Sequence, residues 1–210
     1  MATTHPKMLR WFASKNPFFV FLKVTPLLLV FVLMVVNLEI KNSLGLLFLL
    51  AGMFTWSFFE YVTHRWVYHK VFKHEKLRWF FETFHLHHHN NLTDYRVLNA
   101  GLFLIYPLTS FFWLAVFLLS SNAAIASWFG IGALIYYFFY ENVHYQIHHK
   151  VHKGGYMSFI QKFHLYHHYK RWNKNFGNTI TFWDRLLGTY DPSYKQFVLT
   201  DEMKKDLIHH

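Results

Sequence analysis

Residues 123–149 read AAIASWFGIGALIYYFFYENVHYQIHH, an apolar run that ends in an acid and a pair of spaced histidines. The run Ala123–Tyr140 approaches the roughly twenty residues a helix needs to cross the hydrocarbon core of a bilayer. Helix is the form expected there, because hydrocarbon offers no partner to open backbone amides and carbonyls. Beyond it come Glu141 and then His144 and His148, which are four residues apart and therefore share a helical face. The stretch predicts a membrane helix that presents imidazoles at the membrane surface.

The same order appears upstream, where apolar Ser43–Phe59 leads to Glu60, His64 and His69. Two more apolar segments complete four predicted spans at about 17–36, 43–59, 98–119 and 123–140. Each pair of spans is followed by an HxnH pair and then by an HxxHH triplet, His85-x2-His88-His89 in one half and His164-x2-His167-His168 in the other. The expected fold is all-α, an integral membrane protein with four transmembrane helices. A cytosolic, histidine-rich helical cap is expected from residues 60–97 and 141–200, the whole of 1–210 forming a single membrane-embedded domain.

Composition supports the membrane class. Of 210 residues, 53% are hydrophobic and 22% aromatic, while only 15% are charged, against about 25% in an average soluble domain. The absence of cysteine excludes disulfides, thiolate zinc sites and iron–sulfur clusters. A net charge of +10 can mark a nucleic-acid binder, but its distribution argues against a nucleic-acid partner. Among 21 Lys and Arg, only Lys41 falls in the short loops Asn37–Asn42 and Ser120–Asn122, and Lys23 lies in the first span. All the others lie on the opposite side with the four histidine clusters, and by the positive-inside rule that side is cytoplasmic. Integral membrane placement with the active site on the cytoplasmic face follows, in the ER membrane of a eukaryote or the inner membrane of a bacterium. The basic stretch Met1–Asn16 reads as a cytoplasmic lead-in to a retained span.

Ten of the 17 histidines make up the four clusters. Neutral imidazole is the commonest metal ligand, and ten exceed what one ion takes, so two metal ions are expected. The candidate ligands are His64, His69, His85, His88, His89, His144, His148, His164, His167 and His168. Residues three or four apart share a face, which unites each triplet and the pair His144/His148. His64 and His69, five apart, are separated by about 140° on an ideal helix, so they approach a site from two sides or the helix bends between them. Glu60 and Glu141 stand where a carboxylate accepts the outer ring N–H of a ligand histidine, with Asp94 and Asp184 as weaker candidates for that task.

Other readings fit less well. A bis-histidine haem site lies inside a helix bundle and leaves most of these histidines unused. A metal transporter calls for polar groups in mid-membrane, and these spans hold no string of acids or histidines. Of the isolated histidines, His5, His74, His152, His209 and His210 read as solvated, and His87 points away from its triplet.

The motifs resemble those of the fatty acid hydroxylase superfamily. Glu60-Tyr-x-x-His-Arg-x-x-x-His69 is similar to the first box of fatty acid 2-hydroxylases, and His85-x-x-His88-His89 to the second. His144-Tyr-x-x-His148 with Lys153-Gly resembles the third; His164-x-x-His167-His168 with Phe176-Gly177 and Trp183-Asp184 resembles the last. The resemblance covers about residues 56–190 and favours 2-hydroxylases over sterol desaturases and carotenoid hydroxylases. Departures are the lack of a fused cytochrome b5 domain, Glu141 in place of an Asp, and no paired prolines in Asn90–Ala100.

The resemblance implies a non-haem di-iron membrane oxygenase that hydroxylates C2 of long-chain fatty acyl groups, free or in ceramide. O2 would be co-substrate, and iron the active metal, with zinc able to occupy the site in purified protein. A membrane lipid would be the substrate, and electrons would come from a separate donor such as cytochrome b5 with its reductase, or ferredoxin. No catalytic side chain beyond the metal ligands is expected. The alternatives are a sterol or other lipid desaturase or hydroxylase of the same scaffold, and a non-catalytic metal-binding or transport protein.

Overall fold

The computed structural model describes residues 14, 16–38, 42–70, 72–81, 85, 87–90, 92 and 101–208. Among them every regular element is helical. In chain order these are α1 (Pro17–Asn37), α2 (Asn42–Val62) with a π-helical continuation (Thr63–Tyr68), α3 (Glu75–Phe81), α4 (His87–Asn90), α5 (Gly101–Ser120), α6 (Ala123–His149), α7 (Gly155–Tyr169), α8 (Phe182–Leu186), a 3-10 turn (Pro192–Gln196) and α9 (Asp201–Ile208). Asp94 and nearly all of the segment Asn90–Ala100 fall outside the described residues.

Helix boundaries have local causes. The Asn16 side chain accepts from the amides of Phe18 and Phe19, and Pro17, whose missing N–H costs nothing at a first turn, opens α1. Asn122 caps α6 in the same way through Ala124 and Ile125. Among the described residues three helices are long and apolar enough to cross a membrane: Pro17–Asn37, Ser43–Tyr68 and Ala123–His149. In α5, the stretch Ile105–Ser120 is apolar but shorter. Helix α6 does not stop where its hydrophobicity does. It runs 27 residues, and past Tyr140 its buried positions Glu141, Val143, His144, Ile147 and His148 keep one helical face.

The chain packs as two compact units, one of Ser14–Ser57 and Ala100–Phe139, the other including Phe58–Asn99 and Tyr140–His210. The first unit is held by close helix approach. A Cβ on Gly52 would strike the carbonyl of Phe129, and one on Gly132 would strike that of Leu49. Small residues at such crossings let helix backbones meet where no hydrophobic effect drives them together. Around them, Trp113 donates to Ser127 (3.0 Å) and Tyr106 to the Lys23 carbonyl (2.8 Å).

The second unit has its own core, built by Val143, Ile147, Ile160, Phe163, Leu165, Tyr166, Tyr194, Phe197, Leu199 and Leu207. A smaller cluster of Tyr61, Phe176 and Trp183 packs beside the histidines. Buried Gln161 ties α6 to α7, donating to the carbonyl of Ile147 (2.7 Å).

Gly52→Ala should lower stability by about 1–3 kcal/mol through overpacking of the helix crossing. Gly154→Ala, where a Cβ meets nothing, should change it by less than about 0.5 kcal/mol. Thermal unfolding of both variants in one detergent measures the difference.

Candidate metal centre

All ten candidate histidines are described, and all lie in the second unit. Nine form two groups whose ring nitrogens lie within 4.8 Å of one another: His64, His69, His85, His89 and His167 in the first, and His88, His144, His148 and His164 in the second. The tenth, His168, brings its Nε2 to 2.8 Å from that of His164. Each group draws on both halves of the chain.

The π-helical Thr63–Tyr68 resolves how residues five apart cooperate. Its i→i+5 winding returns His69 to the face of His64, with ring centroids 5.1 Å apart. Helix α6 supplies His144 and His148, α7 supplies His164, His167 and His168, and α4 carries His88 and His89.

These contacts are not a hydrogen-bond network. His69 Nε2 approaches Nε2 of both His167 (3.1 Å) and His85 (2.9 Å), and His85 Nε2 also approaches that of His89 (3.0 Å). A neutral imidazole nitrogen either carries one proton or offers one lone pair, so a chain of three such contacts cannot be satisfied by protons alone. Two nitrogens at right angles on one ion, each about 2.1 Å from it, lie about 3.0 Å apart. The second group repeats the spacing, with His148 and His164 2.9 Å apart. Within these groups His64 Nε2, His144 Nε2 and both nitrogens of His88 are buried without a hydrogen-bond partner. The residues fit two metal ions.

Protonation is suppressed as metal binding requires. Burial, reinforced by the neighbouring imidazoles, pushes His69 down to about 2, and burial with His64 beside it pushes His89 down to about 3. His85, His88, His164, His167 and His168 are driven well below the ordinary range, again by burial first and neighbouring histidines second.

A loop orients the first group. His64 Nδ1 meets the carbonyl of Phe176, and His167 Nδ1 that of Lys174 at 2.7 Å. A carbonyl only accepts, so each Nδ1 carries the proton and each Nε2 is left free for a metal. Asp184 holds this loop, accepting from the amides of Phe176 and Gly177 (2.8 Å each) and from the Thr189 hydroxyl (2.7 Å). A Cβ on Gly177 would strike the Ile180 carbonyl and sit 2.9 Å from the Asp184 carboxylate, so the turn needs glycine.

Glu60 and Asp184 act differently from the expectation that they accept histidine N–H groups. Glu60 accepts from the amides of Asn178 (2.7 Å) and Thr179 (3.0 Å) and from the Thr179 hydroxyl (2.7 Å), and none of these partners is a histidine. Asp184 reaches the ligands through loop backbone. Glu141 is buried on the α6 face that carries His144 and His148. The backbone acceptors Lys174 and Phe176 escaped sequence reading, although Phe176-Gly177 and Trp183-Asp184 are the motif residues that build the loop. His149 turns away and stacks on Tyr145 (centroids 4.1 Å).

Comparison with known proteins gives this constellation a family. The fatty acid hydroxylase family matches residues 48–189. The chain belongs to that family. The ceramide very long chain fatty acid hydroxylase of Schizosaccharomyces pombe is 32% identical over 163 residues, covering 75% of this chain and 46% of the relative. A dihydroceramide fatty acyl 2-hydroxylase of Arabidopsis thaliana is 32% identical over 142 residues, covering 66% and 58%. The fatty acid 2-hydroxylase of Homo sapiens is 29% identical over 161 residues, covering 72% and 41%. This chain thus spans about half the length of these relatives. The solved structure of full-length Scs7p, in which only the hydroxylase domain is visible, shares the fold with a TM-score of 0.75 at 24% identity, covering 91% of this chain and 71% of that one.

Two outcomes follow for this site. Asp184→Asn puts an NH2 against amide donors, so metal affinity should fall about 10–100-fold, measured by competition with a coloured chelator; unchanged affinity would contradict the loop's role. Imidazoles held neutral in the fold but titrating near 6.5 when unfolded make the unfolded chain the stronger proton binder. Stability is therefore complete above about pH 6.5 and declines as pH falls toward 3. Unfolding midpoints should stay level from pH 8 to about 6.5 and drop steadily from there to 4.5, and a profile flat throughout would contradict the burial of neutral histidines.

Proposed function

We propose that this protein is an O2-dependent dimetal lipid hydroxylase that places a hydroxyl group on C2 of long-chain fatty acyl groups, free or within ceramide. The observation that carries the reading is the convergence of histidines into two metal-sized groups in a member of the fatty acid hydroxylase family. The choice of C2 rests on relatives named fatty acid 2-hydroxylase and dihydroceramide fatty acyl 2-hydroxylase.

His64, His69, His85, His89 and His167 would hold one ion, and His88, His144, His148 and His164 the other, with His168 beside His164. Iron at these nitrogens supplies the one-electron chemistry that breaks an unactivated C–H bond, which zinc, lacking redox chemistry, cannot. Overall, O2, two electrons and two protons enter, and one oxygen leaves as water while the other becomes the hydroxyl. The chain's own part is positional. Burial excludes water and keeps the imidazoles neutral, the carbonyls of Lys174 and Phe176 set two tautomers, and Asp184 and Glu60 fasten the backbone that carries them.

Four spans are proposed, α5 joining the three long apolar helices, with the histidine-bearing unit as a cytosolic cap. The lysines and arginines concentrated outside the short loops support that orientation. The acyl chain would reach the site from the bilayer, its head group near the cap. Electrons would come from a separate carrier, cytochrome b5 with its reductase or a ferredoxin.

Lipid mass spectrometry of cells expressing the protein, against a His167→Ala/His168→Ala variant, tests the reading. One oxygen gained at C2 of acyl chains and lost in the variant is expected. Loss of two hydrogens would reassign the chemistry to desaturation. Unchanged lipids, with iron and a donor supplied, would overturn the proposal.

A further inference from the structure

Trp172 is 62% exposed, yet its ring lies over that of His69 with centroids 6.0 Å apart and planes 23° from parallel. His69 is itself only half-buried and belongs to the first histidine group. A single indole thus reaches from the solvent-facing surface of this unit to a ring that points into the metal centre. The sequence neighbours of both rings are cationic. Lys170 and Arg171 precede Trp172 and are exposed, Lys174 follows, and Lys70, next to His69, is exposed as well. The acid close at hand, Asp191, is already engaged by Arg171 (3.5 Å), the Ser193 amide (2.9 Å) and the Tyr166 hydroxyl (3.2 Å). One large exposed aromatic flanked in the chain by exposed cations has the composition of a binding hot spot for an acidic protein.

We infer that Trp172, with Lys170 two residues before it and Lys70 next to the His69 it covers, is where an acidic one-electron carrier protein docks to reduce the metal centre. This rests on the hydroxylase reading, which demands two electrons per turnover. In each docking the reduced carrier loses one electron, the ferric ion bound through the first histidine group gains it, and no covalent bond changes. Contact with His69 favours this occupant over an anionic lipid surface, which would gain nothing from proximity to a ligand ring. Opposite charge steers such encounters and makes them salt-sensitive.

The test uses full-length, iron-loaded protein in lipid nanodiscs, mixed by stopped flow with the reduced soluble domain of cytochrome b5 or with reduced plant-type ferredoxin. Lys70→Glu/Lys170→Glu should slow reduction roughly tenfold or more and flatten its dependence on salt. Trp172→Ala should slow it by a similar factor and Trp172→Phe should restore it, since Phe keeps a ring over His69. Dithionite, a small-molecule reductant that needs no docking site, should reduce wild type and variants at equal rates. Wild-type rates with the carriers in both variants would overturn the inference alone. So would intact carrier rates joined to lost sedimentation with phosphatidylserine vesicles, which would make the patch a membrane contact. Wild-type protein that holds no reducible iron would remove the hydroxylase reading and this inference together.

Discussion

Ring nitrogens packed against ring nitrogens, with no room for the protons that would otherwise satisfy them, are the constraint on which this fold turns. A buried imidazole without a partner is costly, and several facing one another are worse, because any proton taken up repels its neighbours. Cations held between them would let the histidine groups escape that cost by sharing lone pairs. Metal binding and folding of the histidine-bearing unit would then be one equilibrium, as in other sites whose ligands come from distant parts of a chain. Here the first group draws on the π-helical segment, on His85, on α4 and on α7.

The surrounding structure serves that convergence. The i→i+5 winding of Thr63–Tyr68 turns an awkward five-residue spacing into a shared face. The loop through Lys174 and Phe176 fixes the outer edges of His167 and His64. Its own backbone is fastened by Asp184, while Glu60 fastens the residues just after it. Tyr61 reinforces the same region, its hydroxyl bonded to Thr189 (2.8 Å) and accepting from Arg65 (2.8 Å). A carboxylate that never approaches a ligand thereby controls where that ligand points.

Much of this was legible in the sequence. The apolar runs located α1, α2, α5 and α6 to within a few residues at most ends, because burial in lipid and helical hydrogen bonding demand length and composition that few other segments satisfy. The ten histidines were legible because spacings of three and four place side chains on one face. Three things were not. The end of α6 is one, since the apolar run bounds only the span to Tyr140 while the helix continues on an amphipathic face to His149. The relation of His64 to His69 stayed open because ideal helical geometry has no place for a π segment. The partners of His64 and His167 are main-chain carbonyls and not the acids the sequence suggests, and carbonyls are groups that every residue possesses and no composition reveals.

The central claim is tested most directly by the metal itself. Elemental analysis of protein purified with iron supplied and without chelators, joined to X-ray absorption at the metal edge, reads both stoichiometry and ligation. Two ions per chain, each surrounded by nitrogen at about 2.1 Å, are the predicted result. One ion, or none, in protein that remains folded would show that the buried imidazoles are satisfied in some other way and would contradict the account.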